Sequence, residues 1–144
     1  MYQRVGSYEG KLSLQEVARR LGVLDVTWAG TDYFTTTDHV AAREAIKRDF
    51  DGVIPGEWHS AMLVVVQPGG QIPPHVDAAE AEGLVRYHIV LETNSRSWNL
   101  HAGERQQLEE GGIYIMDPLV EHSSGNEGET PRIHLVVDVR RTHD

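Results

Sequence analysis

The sequence predicts a mainly β domain, a barrel or sandwich of the jelly-roll kind with N-terminal α-helices. Two patterns carry this. From Ala61 onward, about six short apolar or alternating runs follow one another with only turn residues between them, where a βαβ fold would need long crossovers. Helical periodicity is confined to the N-terminal part of the chain. A length of 144 residues fits one domain with a real core and leaves no room for a second of ordinary size. The domain is therefore read as 1–144, with a helical part over about 1–58 and a barrel over about 59–140.

In chain order, Ser13-Leu14-Gln15-Glu16 fits a capping box, Leu14, Val17, Ala18 and Leu21 keep helical spacing, and Gly22 stands at the stop position. Val26 to Phe34 reads as a short strand or a loop. A second helix starts near Thr37, with Val40, Ala41, Ala45 and Ile46 on one face, and ends before Asp51-Gly52. Ala61 to Gln67 is a compact strand closed by Pro68-Gly69-Gly70, and Val85 to Glu92 alternates up to Thr93-Asn94-Ser95. Ser97 to Leu100 and Arg105 to Leu108 are separated by Ala102-Gly103. Ile113 to Met116 follows Gly111-Gly112, Ser123 to Pro131 reads as a polar loop, and Arg132 to Val139 closes the barrel.

Composition narrows the chemistry. There is no cysteine, which excludes disulfides, zinc–thiolate sites, iron–sulfur clusters and thiol nucleophiles. Thirteen Lys+Arg against 22 Asp+Glu give a net charge of −9 with no basic stripe, which disfavours nucleic acid as the main partner. No segment has a signal-peptide pattern, and the apolar run Ala61–Val66 is far too short to span a bilayer, so a cytoplasmic protein with no membrane partner is expected. The unusual entry is eight histidines.

Their placement is informative. In Pro73-Pro74-His75-Val76-Asp77 an imidazole and a carboxylate lie two residues apart, on one face of an extended segment stiffened by the prolines. His122 follows downstream, after Asp117-Pro118. Two histidines and one carboxylate can cap one face of an octahedral metal, the facial triad of non-haem Fe(II) oxygenases. A metal site that chelates 2-oxoglutarate also needs a cation for the far carboxylate, and Arg132 suits it because a guanidinium binds carboxylate bidentately and keeps its charge when desolvated. On the last strand Arg132, His134, Val136 and Asp138 share one face, fit for a ligand cavity, and Ile133, Leu135 and Val137 share the other. Arg86 and His88 likewise share a face; buried there they need an anionic partner, either an organic dianion or an Asp or Glu from a neighbouring strand. His39, His59, His101, His134 and His143 read as surface or core residues, with His134 the best placed to support a site. Trp58 with His59, and Asn99 with His101, line a pocket or pack. Asp138 anchors a turn or pairs with a nearby cation.

Taken together, His75-x-Asp77, Arg86-x-His88, Asp117-Pro118 before His122, Asn126, and the run from Arg132 to Asp138 resemble the aspartyl/asparaginyl β-hydroxylase family, in the branch that includes bacterial L-proline cis-4-hydroxylases. The resemblance implies a double-stranded β-helix (jelly-roll, cupin-like) barrel. It implies that His75, Asp77 and His122 ligate Fe(II), that Arg132 binds the distal carboxylate of 2-oxoglutarate, and that Arg86 and His88 hold cosubstrate or substrate. The implied activity is hydroxylation of an unactivated C–H bond of an amino acid, peptide or protein side chain, consuming O2 and 2-oxoglutarate and releasing succinate and CO2. The rival is a cupin-like non-oxidative barrel that uses a metal to bind or isomerise a small ligand.

Overall fold

The structure is a computed structural model and describes residues 1–8, 32–35, 40–50, 52–77 and 83–140. Among the described residues, ten strands form two antiparallel sheets: β1 (Gln3–Ser7), β2 (Tyr33–Thr35), β3 (Trp58–Val66), β4 (Gln71–His75), β5 (Leu84–Glu92), β6 (Ser97–His101), β7 (Glu104–Gln106), β8 (Gly112–Met116), β9 (His122–Asn126) and β10 (Arg132–Arg140). The larger sheet runs β1-β8-β5-β10-β3-β2 and the smaller β4-β9-β6-β7. Helix α1 (Val40–Lys47) continues into a 3-10 turn, Arg48–Phe50.

The alternation of β10 organises the molecule. Ile133, Leu135, Val137 and Val139 point into a core shared with Ala61, Leu63 and Val65 of β3, Ile89 of β5 and Ile113 of β8. Ile46 of α1, with Phe50, Ile54 and Trp58, covers the same face, so the helix seals the outside of the large sheet. Each fully buried aliphatic side chain contributes on the order of 2 kcal/mol, so this layer holds the sheet flat against the helix. The opposite face of the same strands, with Met62, Val64, Arg86, His88, Arg132 and Val136, lines a cavity together with residues of β4 and β9. Tyr2, Val90, Leu108, Tyr114 and Met116 form a second, smaller buried cluster.

Two local expectations change, and others fall outside the described residues. The N-terminal part is not all helical: Gln3–Ser7 is a strand that pairs antiparallel with β8, and α1 is the single α-helix among the described residues. The expected helix from Ser13, most of the Val26–Phe34 segment, and the start near Thr37 lie outside the described residues, although Tyr33–Thr35 is a strand on β3. The polar run after His122 begins as a strand rather than a loop. His122–Asn126 pairs with both β4 and β6, and all five residues are buried. Its small residues serve that position: a Cβ at Gly125 would lie 2.4 Å from the Trp98 indole. The β6–β7 hairpin turns at Ala102-Gly103, both at positive φ (53° and 81°), as a two-residue turn of this hand requires.

Candidate metal centre and its pocket

His75 ends β4 and His122 begins β9, and the antiparallel register sets the two directly opposite each other. Their ring centroids are 4.3 Å apart. His75 Nδ1 bonds the carbonyl of Pro73 at 2.8 Å, and His122 Nδ1 bonds the carbonyl of Val120 at 2.7 Å. A carbonyl can only accept, so each Nδ1 carries the proton and each Nε2 is left with a free lone pair. Both Nε2 atoms turn toward Asp77: His75 Nε2 is 3.7 Å from Oδ1 and His122 Nε2 is 3.5 Å from Oδ2. The backbone N–H of Asp77 donates to the carbonyl of Pro118, tying the carboxylate's loop to the segment before β9. One ligand atom from each of the three residues lies within 4.8 Å of the others. Burial alone would raise the Asp77 carboxyl pKa, but the close His122 imidazole and the charge of Arg86 outweigh it and hold the group below its ordinary range. The donor set is two imidazoles with the tautomer fixed by outer hydrogen bonds and one ionised carboxylate, which fits a divalent first-row metal such as Fe(II).

The triad stands at the side of a cavity of about 380 Å3, within the range of small-molecule sites. Arg132 forms part of its wall and is 2% exposed. Its Nη2 donates to Asn99 Oδ1 at 2.6 Å, while Nε and Nη1 are buried with no hydrogen-bond partner. Burial pushes its pKa down to about 10, so a cation stands here at a cost. Beside it, His88 and His134 share a 2.9 Å Nδ1–Nδ1 hydrogen bond, and His88 Nε2 is buried without a partner. Burial and the neighbouring Arg132 push both imidazoles well below their ordinary pKa, so the pair is neutral and shares a single Nδ1 proton.

Arg86 lies on the same wall in a different state. Its Nε and Nη2 grip Asp138 at 2.8 and 3.0 Å, and its Nη1 donates to Asp77. Asp138 is thus the partner of a nearby cation, set across from Arg86 by the β5–β10 register. The cavity therefore holds one guanidinium between two carboxylates and another with none.

Sequence reasoning had no means of finding Tyr2. The first strand carries it into the cavity wall, where it is buried and meets His88 edge-on with centroids 5.2 Å apart. The Gln106 amide clamps its backbone at both N–H and C=O, at 3.0 and 2.8 Å. Nothing in the local sequence marks that residue. Asn126 is a structural hub: its Nδ2 donates to the carbonyls of Val66 and Thr130, and its Oδ1 accepts from Asn94 and from Gly128 N–H. His101 lies outside the triad, with Nε2 donating to the carbonyl of Asp117 at 3.0 Å.

Two antiparallel sheets around a cavity define a double-stranded β-helix protein, with a His-Asp-His cluster at the cavity's side whose geometry could hold a metal. Solved structures agree on the fold. A cupin domain from Bordetella pertussis superposes with a TM-score of 0.52 at 14% identity, covering 80% of this chain and all of that one. A cupin domain of an XRE family transcriptional regulator from Enterobacter cloacae gives 0.52 at 9% identity, over 78% of this chain and all of that one. Residues 43–142 match the model of the aspartyl/asparaginyl beta-hydroxylase family, and the chain belongs to that family. It is 35% identical over 81 residues to an L-proline cis-4-hydroxylase of Rhizobium meliloti (strain 1021), which covers 56% of this chain. The chain spans 29% of the length of that relative.

Among the described residues, no helix is long and apolar enough to cross a membrane.

Proposed function

We propose that this domain is an Fe(II)- and 2-oxoglutarate-dependent hydroxylase, with His75, Asp77 and His122 as metal ligands and Arg132 as the anchor of the cosubstrate's distal carboxylate. The observation that carries the reading is a buried guanidinium with two unpartnered donor atoms in the same cavity as the triad. A buried cation without a counter-charge is costly, and a bound carboxylate removes that cost by accepting from Nε and Nη1. A cupin that used its metal only to bind or isomerise a small ligand would have the same use for Arg132 only if that ligand were an anion.

When bound, Fe(II) together with 2-oxoglutarate and O2 supplies the oxidising power for C–H hydroxylation, with succinate and CO2 as by-products. The chain's own residues bind and orient. The Nδ1–carbonyl bonds of His75 and His122 fix which imidazole nitrogen is available. With His134 donating its Nδ1 proton, His88 carries its own on Nε2 and offers it to the bound dianion. Met62, Val64, Ile72 and Val136 supply an apolar wall that excludes water from the reacting bond. The substrate is an amino acid, a small peptide or a protein side chain that enters the remaining volume, and the protein acts in the cytoplasm.

The test is succinate formation from 2-oxoglutarate with added Fe(II), with and without a panel of free amino acids and peptides. Wild-type protein should show uncoupled turnover and a 2-oxoglutarate-dependent absorption band with anaerobic Fe(II). Variants H75A and D77A should lose stoichiometric metal binding. Absence of both the turnover and the band in the wild type would refute the assignment and leave the non-oxidative cupin reading.

A further inference from the structure

The resemblance implies that Arg86 holds cosubstrate or substrate, yet each of its three nitrogens already bonds a carboxylate of the protein. Nε and Nη2 form a two-point grip on Asp138, and Nη1, on the other edge of the fork, reaches Asp77. Asp138 is buried and fixed on the central strand, with Ser60 Oγ on β3 donating to its Oδ2 at 3.4 Å. Arg86 itself is largely buried, and Asp77 sits at the cavity edge.

We propose that Asp138 is a positioning residue for the metal carboxylate, acting through Arg86 to set the orientation of Asp77. This rests on the proposed metal site. Asp138 takes two of the guanidinium's N–H vectors, so Arg86 is held by its far side and presents a single N–H to Asp77. Without that grip the same planar fork would be free to turn and bind Asp77 bidentately, engaging the oxygen that a metal would need as its ligand. Asp138 also cancels the positive charge of Arg86, which would otherwise stand beside a divalent cation and oppose it. Outer partners of ligating carboxylates act in this way, and their loss commonly lowers metal affinity about 10- to 100-fold. The residues needed come from three strands and one loop, and the β5–β10 register places Arg86 and Asp138 in direct opposition on neighbouring strands. Arg132 is then the guanidinium among those lining the cavity that is left for a ligand carboxylate.

Calorimetric titration with Co(II), a spectroscopically visible stand-in, tests the proposal on the full chain. Asp138→Asn, which keeps the shape and removes the charge, should weaken Co(II) binding at least tenfold and alter the visible Co(II) spectrum. In an Arg86→Gln background the same substitution should have no further effect on Co(II) affinity, because its influence passes through Arg86. Should Asp138→Asn fail to fold, Arg86→Lys keeps the charge but cannot span both carboxylates, and should give the same loss. Binding within twofold of wild type in the folded variant, or an equal loss with and without Arg86, overturns the proposal while leaving the metal site intact. Co(II) binding by the wild type that H75A does not weaken overturns the metal site, and the role of Asp138 with it.

Discussion

Arg132 gives the sharpest test, because the structure predicts opposite effects on stability and on ligand binding. Take Arg132→Met, which replaces the guanidinium with an apolar chain of comparable length. Burial holds the Arg132 pKa down to about 10. At about 1.4 kcal/mol per pH unit, its drop from the ordinary guanidinium value amounts to about 3 kcal/mol spent in keeping the charge in the ligand-free protein. Removing the charge recovers that amount, but leaves Asn99 Oδ1 without its 2.6 Å donor. An orphaned buried acceptor costs roughly 1–3 kcal/mol. The balance is a ligand-free variant between equal in stability and about 2 kcal/mol more stable than wild type. Losing a buried charge-assisted partner costs a bound carboxylate about 2–5 kcal/mol, so 2-oxoglutarate binding should weaken by at least about 30-fold. Urea denaturation of the metal-free protein measures the first quantity. Calorimetry with 2-oxoglutarate, in the presence of Co(II) to avoid turnover, measures the second. A variant several kcal/mol less stable than wild type, with unchanged 2-oxoglutarate affinity, would show that Arg132 is a structural cation and would refute the reasoning.

Three further outcomes follow from named contacts. His88 and His134 are neutral in the folded protein at pH values where the unfolded chain binds protons on both. Their contribution is therefore present above the ordinary histidine pKa, and stability should fall as pH drops below about 6.5, by up to about 1.4 kcal/mol per pH unit for each histidine. Urea melts from pH 5 to 7.5 should show a shallower slope for His134→Gln, and an unchanged slope would count against the buried neutral pair. Leu135 is fully buried between Leu63 and Ile89 on the flanking strands, so Leu135→Ala should cost about 2–5 kcal/mol in the same assay. At Gly70 an added Cβ would lie 2.1 Å from the backbone oxygen of Asp32, which cannot swing aside as a side chain would. Gly70→Ala should cost about 1–3 kcal/mol, and a neutral result would mean that the contact between this turn and the segment entering β2 is dispensable.

The parts of this molecule that were legible in its sequence are those fixed by local period. β10 alternates between polar and apolar except at Val136, so both its apolar face and the line of Arg132, His134, Val136 and Asp138 follow from a period of two. β3, β5 and β8 are rich in β-branched residues and are bounded by turn residues. β9 is the opposite case. His-Ser-Ser-Gly-Asn has the composition of a loop, and it is a strand because β4 and β6 flank it and satisfy its backbone on both sides. β1 is a short edge strand with little side-chain burial, so its place on β8 leaves no periodic trace. The candidate ligands could be named from type and spacing, but the state of Arg86 could not. Whether its charge meets Asp138 or a ligand depends on the β5–β10 register, a long-range quantity that neither strand contains alone.

That register also bears on which ligand charge the cavity accepts. Arg86 lies between Asp77 and Asp138, and Arg132 has no carboxylate partner, so two guanidinium charges face two carboxylates. The histidine pair beside them is neutral. The protein's own polar wall is thus balanced in sum, but unevenly: the negative charge gathers at the triad and an uncompensated positive charge stands at Arg132. A divalent cation at the triad adds two positive charges, and an organic dianion reaching from there to Arg132 restores the balance at both ends. A monocarboxylate would satisfy one end and leave the other charged in a largely buried space, at a cost of several kcal/mol. Selection among anions by the proposed enzyme should therefore follow the number and spacing of carboxylates rather than size. Succinate, which keeps two carboxylates, should inhibit competitively with 2-oxoglutarate, whereas pyruvate, which offers the chelating end alone, should not bind measurably. Equal affinity for pyruvate would place the cosubstrate's second carboxylate away from Arg132 and break the link between charge distribution and cosubstrate choice.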